Sequence, residues 1–140
     1  MMVSGDWLTR PATQALCAAL QAGGHRVFFV GGCVRNTLLG QQVADIDITT
    51  PIRPGEVTRL IEAAGLKAVP TGIEHGTVTA VSGHEGFEIT TFRADVTTDG
   101  NAETTRLVEA AGGTMRITVK PEPKTAEAKL VALRGNVAEN

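Results

Sequence analysis

The sequence has few aromatic residues and no large excess of either charge. Aromatics make up 4% of the 140 residues, with one Trp and no Tyr, so we expect a core of mainly aliphatic side chains. The 13 basic and 15 acidic residues give a net charge of -2. This balance excludes the strong basic excess of a protein that holds nucleic acid by its overall charge. Any contact with RNA must therefore be local or be supplied from elsewhere.

Cysteines and long apolar runs are also scarce. Cys17 and Cys33 are the two cysteines, and without a secretory signal or a paired spacing we interpret both as reduced thiols. The apolar stretches are too short to span a membrane, and the N-terminus lacks a basic region followed by an apolar one. The hydrophobic fraction of 42% fits one modest globular domain. These features predict a cytoplasmic protein with no membrane partner.

Acidic and apolar residues alternate where the sequence reads Ala44-Asp45-Ile46-Asp47-Ile48. On a strand this period places Asp45 and Asp47 on one face and the isoleucines on the other. Two neighbouring carboxylates repel each other unless a cation neutralises them, and hard divalent ions prefer oxygen ligands. The pattern therefore suggests a Mg²⁺ site at Asp45 and Asp47.

A glycine pair precedes this segment. Gly31 and Gly32 follow the apolar run 27–30 and come before a short helical segment that carries Arg35. A glycine turn lets the backbone approach a phosphate, and the N–H groups at the start of the helix favour an anion. Arg35 would add a charge-assisted bond to a triphosphate. Gly31, Gly32 and Arg35 are thus candidate nucleotide-binding residues.

Each pattern alone has an ordinary structural explanation, since Gly-Gly often forms a simple turn and Asp alternating with Ile often marks a half-exposed strand. The combination resembles the polymerase-beta-like nucleotidyltransferase superfamily. VGGCVRNTLLG followed by ADIDITT resembles the class II tRNA nucleotidyltransferases (CCA-adding enzymes) and the related bacterial poly(A) polymerases. The resemblance implies a head domain that adds CMP and AMP from CTP and ATP to the tRNA 3′ end by two-metal nucleotidyl transfer.

Further residues extend the resemblance towards Gly100. Glu88 lies between two apolar residues and is the candidate for a third catalytic carboxylate beside Asp45 and Asp47, although a surface carboxylate on a strand gives the same pattern. His75 lies in a His-Gly-Thr-Val-Thr stretch that is similar to one in the family, without a role assigned to it. The segment from Phe92 to Gly100 resembles the Thr-Phe-Arg-x-Asp and Asp-Gly of the same enzymes.

The periodicities predict an α/β fold, a small mixed sheet with helices packed on one face. The predicted strands are Val27–Val30, Asp45–Thr49, Leu66–Val69, Thr77–Val81 and Phe87–Phe92. The predicted helices are Trp7–Ala22, Cys33–Leu39 and Pro54–Ala64. Strand order and oligomeric state are not predictable from these patterns.

Beyond Gly100 the motif resemblance ends, so we divide the chain into a head domain, 1–100, and an unmatched tail, 101–140. Possible elements of the tail are a helix at Glu103–Ala111, a strand at Thr114–Val119 and a helix at Thr125–Leu133. The Arg-Arg-Asp motif and the helical neck, body and tail of the family find no match here. This discontinuity suggests a truncated or frameshifted product with weak activity.

One departure lies inside the matched region. Asn36 stands where the family usually has Asp, which removes a negative charge beside Arg35. Two alternatives therefore stay open beside CCA addition and polyadenylation. One is an inactive remnant that binds nucleotide or protein, and the other is an unrelated nucleotide-binding module, against which the absent G-x-G-x-x-G and G-x-x-x-x-G-K-[ST] patterns argue.

Overall fold

A computed structural model describes residues 2–92 and 105–120. The described residues form an eight-stranded sheet with four α-helices, and the predicted α/β class is confirmed. The strands are β1 (Met2–Val3), β2 (Phe28–Val30), β3 (Ile46–Thr50), β4 (Lys67–Gly72), β5 (Thr77–Ser82), β6 (Glu85–Thr91), β7 (Thr105–Ala111) and β8 (Thr114–Lys120). The helices are α1 (Asp6–Thr9), α2 (Pro11–Gln21), α3 (Gly32–Leu38) and α4 (Pro54–Ala63).

The sheet is mixed, with the order β1-β8-β7-β2-β3-β6-β5-β4. Strands β3 and β6 pair in parallel, and every other neighbouring pair is antiparallel. The parallel register places Asp47 opposite Glu88, between the pairs Ile46–Phe87 and Ile48–Ile89. The topology therefore brings two residues that are distant in sequence to the centre of the sheet.

Side chains alternate across the sheet, and one face carries the core. The central strands point buried apolar side chains to this face, among them Phe29, Ile46, Ile48, Phe87 and Ile89. Apolar positions of the helices, such as Leu16, Leu20, Val57 and Ile61, are buried in the same cluster. The opposite face carries Asp47 and Glu88. Helices packed on one face thus leave the carboxylates accessible from the other.

The predicted first helix is two helices in the structure. The chain leaves helical geometry at Arg10, with φ -59° and ψ 140°, and resumes it at Pro11. The residue before a proline is pushed towards extended geometry, because the proline ring collides with its backbone in the α region. Pro11 then begins α2, where its missing N–H costs nothing. The prediction of one helix over Trp7–Ala22 was therefore wrong at this point.

The prediction of a helix at Glu103–Ala111 was wrong, because Thr105–Ala111 is strand β7. Gly112 and Gly113 have φ values of 48° and 83° and form a two-residue turn that joins β7 to β8. Positive φ at both positions is what a tight hairpin turn requires. The predicted strand at Thr114–Val119 is confirmed as β8. The predicted helix at Thr125–Leu133 lies outside the described residues.

Strands β7 and β8 lie beyond Gly100, yet they belong to the same sheet. Phe28 of β2 pairs with Glu109 of β7, and the backbone N–H of Ala110 donates to the carbonyl oxygen of Val27 at 2.8 Å. Arg26 adds a side-chain bond to Glu109 and lies over the Phe28 ring. An aberrant origin of residues 101–140 stays a prediction.

Both cysteines are free thiols within the core, as predicted from their number and spacing. Burial raises the pKa of Cys17 to about 12 and that of Cys33 to about 11. Neither is therefore a ready nucleophile. Within the described part of the chain, no helix has the length and apolar character needed to cross a membrane.

Candidate active site

Asp47 and Glu88 lie side by side near the centre of the open face, and the charge of Asp45 acts on Asp47. Asp47 and Glu88 are paired positions on adjacent parallel strands, and Asp45 lies just before β3. Burial, repulsion from Glu88, a hydrogen bond to Glu88 and the charge of Asp45 together raise the pKa of Asp47. Each cause disfavours a negative charge on Asp47, and a cation bound between these groups would relieve the repulsion.

These carboxylates are compatible with Mg²⁺ but do not enclose an ion. Among residues 2–92 and 105–120, no three His, Cys, Asp or Glu side chains form a group that could hold a metal by themselves. Mg²⁺ is usually held by one or two carboxylates, with waters and substrate phosphates completing its coordination. The donor set therefore fits Mg²⁺ only with further ligands from outside the protein.

The glycine turn lies directly beside Asp47. Gly31 has φ 78° and ψ -143°, a conformation that L-residues avoid. A Cβ atom built on Gly31 would lie 3.4 Å from Oδ2 of Asp47, and one on Gly32 would lie 3.3 Å from Nη2 of Arg35. Gly31 thus lies beside the Asp47 carboxylate and Gly32 beside the Arg35 guanidinium. Any side chain on either glycine would lie against one of these charged groups.

Helix α3 begins at Gly32 and holds the turn in place. The carbonyl oxygen of Gly31 accepts from the N–H groups of Val34 and Arg35. The thiol of Cys33 donates to the carbonyl oxygen of Val30 at 3.3 Å and is buried, so the helix is fixed to the end of β2. Arg35 itself is exposed, and its Nε donates to Oδ1 of Asn36 at 3.2 Å.

The remaining residues of the resemblance lie away from this turn or outside the described part of the chain. His75 is exposed in a short 3₁₀ helix, Ile73–His75, where its nearest charged partner is the adjacent Glu74 at 3.7 Å. The Thr-Phe-Arg-x-Asp match continues past Phe92 into residues outside the described part of the chain. Sequence reasoning missed the contact of Asn36 with the carbonyl oxygen of Gln42, because a side-chain bond to a loop six residues away has no sequence signature.

A mixed sheet with carboxylates on its open face, beside a glycine turn and an arginine, defines an α/β domain of the polymerase-beta-like nucleotidyltransferase type. The comparisons make this specific. The chain belongs to the poly A polymerase head domain family, which matches residues 27–126. This match extends past Gly100, where the resemblance traced from individual motifs ended.

Similar sequences include CCA-adding enzymes. The chain is 43% identical over 84 residues to the enzyme of Lactiplantibacillus plantarum, and this aligned region is 60% of the chain and 20% of that enzyme. It is 49% identical over 76 residues to the enzyme of Lactobacillus helveticus, where the aligned region is 54% of the chain and 18% of that enzyme. The chain therefore spans about a fifth of the length of these relatives.

Solved structures of CCA-adding enzymes share the fold of this chain. The Bacillus stearothermophilus CCA-adding enzyme in complex with CTP matches with a TM-score of 0.60 at 26% identity, over 89% of this chain and 32% of its own. The Thermotoga maritima CCA-adding enzyme complexed with tRNA_CCA matches with the same TM-score at 21% identity, over 82% and 32%. The second likeness shows the shared fold.

Proposed function

We propose that this chain is the nucleotidyl-transferring head of an enzyme that adds CMP and AMP to the 3′ end of tRNA. The observation that carries the proposal is the position of the Gly31-Gly32 turn beside both the Asp47 carboxylate and the Arg35 guanidinium. Such a site offers one end to a metal and the other to a phosphate. The similarity to CCA-adding enzymes favours tRNA as the acceptor and CTP and ATP as the donors.

Each candidate residue has a distinct role in this proposal. Asp45 and Asp47 bind Mg²⁺, and Glu88 is the third carboxylate of the catalytic group. Bound Mg²⁺ would lower the pKa of the RNA 3′-hydroxyl and neutralise the pyrophosphate that leaves. Arg35 binds the triphosphate as a fixed positive charge, and the turn at Gly31 and Gly32 lets the phosphates approach the backbone.

The test is incorporation of labelled CTP and ATP, with Mg²⁺, into tRNA that lacks its 3′-CCA. An unrelated oligoadenylate is the second acceptor, so that CCA addition and polyadenylation give different patterns. Asp45→Ala should lower incorporation by roughly 100-fold or more, because a metal ligand contributes several kcal/mol of charge stabilisation. Glu62→Ala is the matched control, since Glu62 is an exposed carboxylate on α4, which packs against the opposite face of the sheet.

A second readout covers a chain that binds nucleotide without transferring it. CTP with Mg²⁺ should raise the melting temperature of the wild type and of Glu62→Ala, but not that of Asp45→Ala. Stabilisation without incorporation would identify the remnant that only binds nucleotide. Full incorporation by Asp45→Ala would refute the metal assignment, and the absence of both signals in the wild type would refute the proposed function.

A further inference from the structure

The Asn36 side chain connects Arg35 to the loop that leads to Asp45. Its Nδ2 donates to the carbonyl oxygen of Gln42 at 2.8 Å, and its Oδ1 accepts from Nε of Arg35 at 3.2 Å. A carbonyl oxygen can only accept, and a guanidinium N–H can only donate. The two partners therefore require both functions of the amide and fix its orientation.

Backbone hydrogen bonds also hold the loop after α3 against the end of the helix. The backbone N–H of Gln41 donates to the carbonyl oxygen of Asn36 at 2.7 Å, and Leu39 and Gly40 donate to the carbonyls of Arg35 and Thr37. These bonds fold residues 39–42 back onto the end of the helix. Asp45 follows Gln42 by three residues, so an anchor at Gln42 restrains the chain shortly before Asp45.

We propose that Asn36 is a positioning residue, which holds Arg35 and the loop before Asp45 in a fixed relation. The inference rests on the proposed function, because it assigns Arg35 to the triphosphate and Asp45 to Mg²⁺. An ionised Asp at this position would still accept from Arg35, but it would have no donor for the carbonyl oxygen of Gln42. The loop would then lose its side-chain anchor, while the contact with Arg35 would persist.

The variant that separates the two contacts is Asn36→Asp. Calorimetric titration should show a CTP dissociation constant within about two-fold of the wild type at saturating Mg²⁺. The Mg²⁺ midpoint should rise roughly 3- to 10-fold, the range that one partly exposed hydrogen bond supports. Amide hydrogen exchange of residues 41–44 should accelerate by a similar factor, because the loop opens more often.

Gln41→Glu is the control for charge. It adds the same negative charge five residues further along, in the loop itself, and its side chain is exposed. If Gln41→Glu reproduces the Mg²⁺ and exchange effects, charge alone explains them and the inference is overturned. Wild-type values of both quantities in Asn36→Asp would also overturn it.

Failure of the proposed function gives a different result. In that case the wild-type chain shows no Mg²⁺-dependent binding of CTP, whatever residue 36 is. The exchange comparison then decides the inference alone. Faster exchange in Asn36→Asp than in Gln41→Glu supports a positioning role for Asn36, and equal exchange overturns it.

Discussion

The substitution Gly31→Ala tests whether the turn beside Asp47 needs glycine. Gly31 has φ 78° and ψ -143°, in a region that is almost restricted to glycine. An alanine there would also place its Cβ 3.4 Å from Oδ2 of Asp47. Because that distance is an ordinary contact, the cost comes from the backbone, and it is about 1–3 kcal/mol. For a chain of this size the melting temperature should fall by roughly 4–12 °C.

The matched control is Gly65→Ala at the end of α4. Gly65 also has a positive φ, 79°, and a Cβ there would have no neighbour within 4 Å. Both variants should therefore lose stability, but only Gly31→Ala should also lose stabilisation by CTP with Mg²⁺. The assay is urea unfolding of both variants, followed by thermal melts with and without CTP and Mg²⁺.

Two outcomes would refute this reasoning. Wild-type stability of Gly31→Ala would show that the turn does not have the conformation described. Unimpaired stabilisation by CTP with Mg²⁺ in a destabilised Gly31→Ala would show that the nucleotide does not lie against this turn.

Gly55→Ala supplies a further check, because this exposed helical position has open space and no positive φ. Alanine should be neutral or stabilising there by up to about 1 kcal/mol.

Three other predictions follow from the charges and the core. Asp47→Asn should raise the free energy of unfolding at about pH 7, because the raised pKa of Asp47 shows that the fold disfavours its ionised form. This gain should disappear as the pH falls below the ordinary aspartate pKa of 3.8. Urea titrations measure it, and equal stability of the variant and the wild type at about pH 7 would contradict the prediction. Ile48→Val, at 1% exposure, should lower the free energy of unfolding by about 0.5–1.5 kcal/mol, and Ile73→Val, at 48% exposure, should change it by less than about 0.5 kcal/mol. Cys17 and Cys33 should resist Ellman's reagent in the folded protein at about pH 8 and react after unfolding in urea, and one rapid equivalent in the native state would contradict their burial.

The parts of the fold that were predictable depend on local patterns. Alternation around Asp45 and Asp47 predicted β3, and the same alternation around Glu88 predicted β6. Helix α4 was predictable from its apolar period between Pro54 and Gly65. In each case the signal lies within a dozen residues, so the burial of one face can be read directly from the sequence.

The parts that were not predictable depend on contacts between distant residues. Strand β7 forms because it pairs with β8 along one edge and with β2 along the other. Nothing in the local sequence from Glu103 to Ala111 indicates this pairing, so the helix prediction there was wrong. The pairing of Asp47 with Glu88 likewise comes from the parallel register of β3 and β6. The alternation of apolar and acidic residues could suggest Glu88 as a third carboxylate, but only the pairing of β3 with β6 places Glu88 opposite Asp47.

A residue that is unfavourable in a strand, Asp47, lies beside a turn that only glycine can form, and this favours a functional site independently of any relative. Aspartate is depleted in strands, and Asp47 is half-buried beside Glu88 with a raised pKa. Beside it, Gly31 has a backbone conformation that other residues avoid. A fold selected for stability alone would replace Asp47, for example with Thr, and would not need a turn that only glycine can form. An unfavourable residue beside a turn restricted to glycine usually marks a site that is kept for its chemistry. The start of β3 and the turn before α3 are therefore where substitutions should separate activity from stability.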